Sequence, residues 1–267
     1  MLKQRLLTAL ILATLVVTSV LLLPSAWFGG VLLLFILLGA WEWGGLLFRP
    51  AGQSAYCLLI VGLIGMAWRF LDYTVFIRST TLGACLFWIY VLLCLWRYAL
   101  DPYTSSTLAW AMAGLMTLLP LWVILMDLHS STGLGPAYVL FLLVLVAVAD
   151  SSAYFAGRRW GRHKLAPRLS PGKTREGALG ALVATLVVAP AGAALLGIGA
   201  WLPFLLICLV TTVFSIIGDL FESMLKRQHT AKDSGVLLPG HGGLLDRMDS
   251  LTAAAPVFLA GLSGLLP

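Results

Sequence analysis

The sequence predicts an all-α, polytopic integral membrane protein with about nine transmembrane helices. Three observations carry this reading. Of 267 residues, 60% are hydrophobic and only 10% are charged, whereas an ordinary soluble domain carries about 25% charged residues. The mean hydropathy of +0.98 is too high for a water-soluble globule of this size, and the same figures exclude a disordered chain, a coiled coil and a secreted disulfide scaffold. The apolar residues also fall into runs close to the roughly 20 that one helix needs to cross a bilayer core.

Nine such runs read along the chain as 6–23, 27–48, 54–68, 79–96, 108–126, 137–155, 177–196, 202–221 and 251–266. The first follows Lys3 and Arg5 and has the look of a signal peptide. Its 18 apolar residues and the eight runs behind it favour a retained span. The third and ninth are short enough to be shallow or tilted. Trp27, Trp41, Trp43, Trp68, Trp96 and Trp201 cluster near proposed ends, as an interfacial aromatic belt does.

The formal charge of +6 raises nucleic acid as a partner, but the bases sit in short loops between apolar runs, and no nucleic acid is expected. In such loops they set topology and meet anionic headgroups or phosphates. With the N-terminus cytoplasmic, 15 of the 17 Lys and Arg face that side, and only Arg69 and Arg78 do not. An odd number of spans puts the C-terminus opposite. A short chain without a targeting sequence is expected in a bacterial inner membrane. Cys57, Cys85, Cys94 and Cys208 lie in or beside apolar runs without metal-ligand spacing, so they read as packing residues.

Charge gathers in two cytoplasmic loops, after the sixth and eighth runs. Accordingly, residues 1–130 read as N-terminal membrane helices and 131–267 as the catalytic membrane helices, with no separate soluble domain. Asp219, Glu222, Ser223 and Lys226 follow at i, i+3, i+4 and i+7, which is one helical face. Taken alone they are equally a snorkelling acid–base pair at the interface. Beyond them, Asp246 and Asp249 stand three apart, and Gly240, Gly242 and Gly243 leave backbone N–H groups open to phosphate oxygens. Carboxylates beside Lys226, Arg227, Lys232 and Arg247 suit a hard cation near a polyphosphate. Oxygen ligands without convergent Cys or His point to Mg²⁺ over zinc. Asp150 reads either as a helix-end carboxylate paired with Arg158 or Arg159 or as a ligand facing the same cavity, since Asp150, Tyr154 and Gly157 share a face. Glu42, between two tryptophans, reads as a carboxyl hydrogen-bonded between helices, with a direct catalytic role as the alternative.

The stretch Ser223-Met-Leu-Lys226-Arg227, four residues, Lys232-Asp233, then Pro239-Gly-His241-Gly242-Gly243-Leu-Leu-Asp246-Arg247-Met-Asp249 resembles the motif of the phosphatidate cytidylyltransferases, also called CDP-diacylglycerol synthases. The loop Asp150-Ser-Ser-Ala-Tyr154 through Ser170-Pro171-Gly172-Lys173-Thr174-Arg175-Glu176-Gly177 is similar to that family's loop before the seventh span, and Trp41-Glu42-Trp43 resembles it more weakly. The family pattern has a second Lys at position 172 and often an aromatic at 175. This chain has Gly172 and Arg175, which moves one phosphate-binding charge to Arg175.

The resemblance implies transfer of CMP from CTP to phosphatidic acid, giving CDP-diacylglycerol and pyrophosphate in phospholipid synthesis. It implies Asp150, Asp219, Asp246 and Asp249 as ligands of one or two Mg²⁺ ions, with a monovalent cation and a homodimer left open. Ser223, Lys226, Asp246, Arg247 and Asp249 become the expected catalytic set. Lys173, Arg175, Arg227, Lys232, His241, Gly242 and Gly243 become the expected phosphate-binding set. The competing readings are a CTP-dependent kinase or cytidylyltransferase for another membrane lipid, an ion-coupled transporter and a noncatalytic lipid-binding scaffold.

Overall fold

The computed structural model describes residues 2–70, 72–131, 133–231, 233–235, 237 and 242–265. Its elements run in chain order as α1 (Leu2–Leu22), α2 (Ser25–Leu47), α3 (Pro50–Phe70), α4 (Tyr73–Leu100), α5 (Thr107–Ser130), α6 (Gly135–Trp160), β1 (Lys164–Ala166), β2 (Ser170–Thr174), α7 (Arg175–Leu195), α8 (Trp201–Gln228), a single 3-10 turn (Leu245–Arg247) and α9 (Asp249–Ser263). Among the described residues, seven helices, α2 to α8, are long and apolar enough to cross a membrane. The apolar part of α1, Thr8–Leu22, and the 15-residue α9 are shorter. The chain is an all-α polytopic membrane protein, as its hydropathy requires. The side chains of Lys3, Arg5 and Trp68 lie outside the described ones.

Most helices are longer than their apolar runs, α3 and α4 among them. Helix α3 starts at Pro50, whose missing N–H costs nothing in a first turn, and so reaches 21 residues. Helix α4 starts where the Asp72 carboxylate accepts from Val75 N at 3.1 Å, and it carries Arg78 and Arg97 near its ends.

The antiparallel pair β1–β2 interrupts the helical pattern between α6 and α7. Glu176, in the first turn of α7, holds its entry by accepting from Arg162 N at 3.0 Å and from His163 Nδ1 at 2.7 Å. Thr174 caps α7, its hydroxyl accepting from Gly177 N at 3.1 Å. Arg168 then ties the hairpin to the end of α4, donating to the carbonyls of Ala99 (3.0 Å) and Leu100 (2.8 Å).

The same end of the bundle collects the C-termini of α2, α4, α6 and α8 and the N-termini of α5, α7 and α9. Gln228 at the end of α8 accepts from Ser105 N (2.7 Å) and Trp110 Nε1 (3.1 Å), joining α8 to the start of α5. Trp43 Nε1 donates to the Trp110 carbonyl at 3.0 Å, and Phe221 of α8 packs against both rings. At the opposite end, buried His129 stacks on Phe28 and joins Val20 O to Ser25 Oγ. A carbonyl only accepts, so Nε2–H donates to Val20 O. Within the bundle, Thr185 of α7 and Thr212 of α8 share a buried hydrogen bond of 2.8 Å, a contact worth about 0.6 kcal/mol between membrane helices.

Candidate active site

A cavity of about 640 Å³ opens at the end of the bundle that holds the hairpin. Its wall is built by α6 (Asp150, Tyr154, Gly157), by β2 (Gly172, Lys173), by α8 (Asp219, Lys226) and by the loop entering α9 (Asp233, Asp246, Arg247, Asp249). Helix period places Asp219 and Lys226 two turns apart on the same face of α8. Asp150, Tyr154 and Gly157 do share one wall, as their spacing requires. Of the two readings of Asp150, the cavity-facing one matches the geometry. Arg158 donates instead to Tyr154 OH at 3.2 Å, and Asp150 accepts from Ser250 Oγ at 3.4 Å.

The approach of α9 to α8 brings the acids together. Gly218 stands where a Cβ would press into the Asp249 carbonyl and lie 3.1 Å from Ala253 Cβ. Only a residue without a side chain lets the start of α9 sit this close. Asp249 therefore falls within electrostatic reach of Asp219, and Asp219 likewise acts on Asp150. Lys173 forms an ion pair with Asp219 across the gap between β2 and α8.

Lys226 is held more deeply. Its Nζ donates to Asp246 Oδ1 at 2.5 Å and lies 3.4 Å from Glu222 Oε2, with its side chain 15% exposed and that of Glu222 3% exposed. This is an inward-facing triad, in place of a snorkelling surface pair. Asp246 Oδ2 accepts from Gly243 N (2.9 Å) and Ser234 N (3.2 Å), and it lies 3.1 Å from Ser234 Oγ, whose single proton it shares with Glu42. Burial alone would raise the Asp246 carboxyl. The Lys226 ammonium and the Gly243 N–H outweigh it and hold Asp246 below the ordinary carboxylate range.

Glu42 of α2 meets the same loop from behind. It is 4% exposed and accepts from Leu244 N (3.0 Å), Leu245 N (2.8 Å) and Ser234 Oγ (3.1 Å). It does not line the cavity.

The expected site residues thus divide. Asp150, Lys173, Asp219, Lys226, Asp246, Arg247 and Asp249 share the cavity wall. Ser223 is half-buried on α8 beside it, Arg175 is exposed at the start of α7, and Arg227 donates through Nε to the Leu169 carbonyl at 3.2 Å; none of these three lines the cavity. Gly242 (φ +81°) and Gly243 shape the loop under Asp246. Lys232 and His241 lie outside the described residues. Reading the sequence passed over Glu222, Ser234 and Ser250 as site residues. Glu222 carried a signal, as an acid one turn from Lys226, and so did Asp233, a cavity-lining acid inside the motif; the serines carried none.

Among the described residues no ready-made cage of three His, Cys, Asp or Glu ligands is present. The donor chemistry nevertheless fits a hard divalent cation. Five carboxylates line the cavity among four bases, Arg158, Lys173, Lys226 and Arg247, an oxygen-rich donor set of the kind a hard cation takes beside a polyphosphate.

A family model described as "Cytidylyltransferase family" matches residues 3–263, nearly the whole chain. The chain belongs to the cytidylyltransferase family. Relatives named phosphatidate cytidylyltransferase include one from Haemophilus influenzae, 35% identical with 97% of both chains covered. Another, from Pseudomonas aeruginosa, is 40% identical over 97% of this chain and 96% of its own. One from Bacillus subtilis is 35% identical over 73% of this chain and 76% of its own. The acids and bases of this chain's cavity come from the two segments that carried the sequence resemblance and from Asp219 just before the second, while Glu42, from the N-terminal half, holds the loop from behind.

Proposed function

We propose that this protein is a phosphatidate cytidylyltransferase, joining CTP and phosphatidic acid into CDP-diacylglycerol with release of pyrophosphate. The observation that carries the reading is the gathering of Asp150, Lys173, Asp219, Lys226, Asp246, Arg247 and Asp249 on one cavity at one end of a membrane bundle.

A phosphate monoester, with a second pKa of about 6, is largely dianionic at neutral pH, so its oxygen attacks without a dedicated general base. The bond formed joins that oxygen to the α-phosphorus of CTP. The bond broken is the α–β bridging P–O, and pyrophosphate leaves with the electron pair. Catalysis then consists of placement in line and relief of charge repulsion. Lys173 and Arg247 meet phosphate oxygens from two sides of the cavity. Lys226, fixed by Asp246 and Glu222, supplies a positive charge that does not swing away. Ser223 and Arg227 support this wall of α8 from beside it, and Arg175 attracts anions to the mouth. Asp150, Asp219, Asp246 and Asp249 would hold Mg²⁺, which would neutralise charge on the CTP phosphates and on the departing pyrophosphate.

The basic end of the bundle faces the cytoplasm of a bacterial inner membrane, by the positive-inside rule. The lipid headgroup enters between α6, α7 and α8, where Ala153, Ala178 and Ile216 give the cavity an apolar side, while the acyl chains remain in the bilayer. The test is transfer of label from α-³²P-CTP into lipid by purified protein in phosphatidate micelles with Mg²⁺. Equimolar labelled lipid and pyrophosphate are expected. Pyrophosphate without phosphatidate, or no product with it, contradicts the reading.

A further inference from the structure

We propose that Glu42, on the second helix and outside the cavity, is a positioning residue that sets Asp246 and Lys226 for the reaction. This inference rests on the transfer activity proposed above.

The carboxylate of Glu42 is buried, and among the described residues its hydrogen bonds reach the loop before α9: two consecutive backbone N–H groups, Leu244 and Leu245, and the hydroxyl of Ser234. Those N–H groups open the turn Leu245–Arg247 that carries Asp246 and Arg247. Ser234 stands 3.1 Å from both Glu42 Oε2 and Asp246 Oδ2, and Asp246 grips Lys226. One chain of polar contacts thus runs Glu42–Ser234–Asp246–Lys226 from α2 through the loop to α8. The packing around it is exclusive. A side chain at Gly235 or at Gly243 would intrude on the Glu42 carboxylate. Trp43, the next residue of α2, donates to the Trp110 carbonyl of α5 and ties this turn of α2 to α5. A hydroxyl has one proton, which Ser234 commits to one carboxylate at a time. The two backbone donors therefore fix Glu42, and Glu42 fixes the loop.

Glu42→Gln keeps the shape but replaces one acceptor oxygen with an NH₂ that faces a donor. The expected result is faster amide hydrogen exchange at Leu244 and Leu245, at least about 10-fold, with exchange in α5 and α6 unchanged. The value of kcat/KM for CTP is expected to fall about 10- to 100-fold, the range for a group that orients a ligand. Adding Ser234→Ala to Glu42→Gln is expected to cost less than Ser234→Ala costs alone, because both cut one chain of contacts. Wild-type exchange at Leu244 and Leu245 overturns the proposal, as do losses that simply multiply. Should Glu42→Gln not fold, Ser234→Ala alone decides. It must lower kcat/KM and loosen the exchange of residues 243–246, and the absence of either effect overturns the proposal. A wild-type protein without transfer activity overturns the functional reading only, since the exchange measurements still decide whether Glu42 holds the loop.

Discussion

Each acid in the cavity is tied down differently, and the ties predict different losses. Asp219 and Asp249 face the cavity with few hydrogen-bond donors of their own, apart from Lys173 and Ser250 N. Asp219→Asn and Asp249→Asn should each lower kcat at fixed Mg²⁺ by about 100-fold or more, with melting temperatures close to wild type; steady-state transfer and thermal unfolding in detergent check this. Lys226 differs because it pairs with Asp246 and lies beside Glu222 in a mostly buried setting. Removing one partner of such a buried group costs about 3–5 kcal/mol. Lys226→Ala should therefore lose both activity and thermal stability, and Lys173→Ala, at a more open site, mainly activity. Lys226, Asp219, Asp246 and Asp249 were legible in the sequence because a helical face and a dense motif gathered them. Glu42 was visible only as an acid between tryptophans, since its partners lie about 200 residues further along the chain.

Helices were legible because hydropathy over some 20 residues averages away local detail. Their ends were not, as α3 and α4 show: a proline at a first turn and snorkelling arginines extend a helix beyond its apolar run. The β1–β2 hairpin was invisible because strands of three and five residues carry too little alternation to register. It matters to the site because it carries Lys173 to Asp219. The contact of α8 with α9 was equally hidden, since Gly218 has no pattern of its own in a glycine-rich chain. Gly218→Val should push Asp249 away from Asp219 and lower transfer by at least about 10-fold, in line with the sensitivity of reacting groups to displacements near 1 Å. Gly261→Ala meets only Ile207, on the same two helices, and serves as the packing control; comparable losses in both variants would contradict the placement of Asp249 by α9.

Across the whole molecule, polar function lies at one end of an apolar bundle. Composition and the positions of the bases made that end readable, whereas the contribution of α2 to it was not, because helix order says little about which helices touch. If the hairpin end faces the cytoplasm, a single cysteine at Pro167 in a chain lacking its four native cysteines should react with an impermeant maleimide in inside-out vesicles and not in intact spheroplasts. One at Ser131, between α5 and α6 at the other end, should show the reverse.

The proposed reaction requires carboxylates from α6, α8 and α9 to share one divalent cation beside the CTP phosphates. Anomalous diffraction from crystals soaked in Mn²⁺ and CTP tests it most directly. The expected result is a manganese peak in coordination contact with Asp219 and Asp249. A fully occupied CTP site with no manganese there, or with manganese bound only elsewhere, would contradict it.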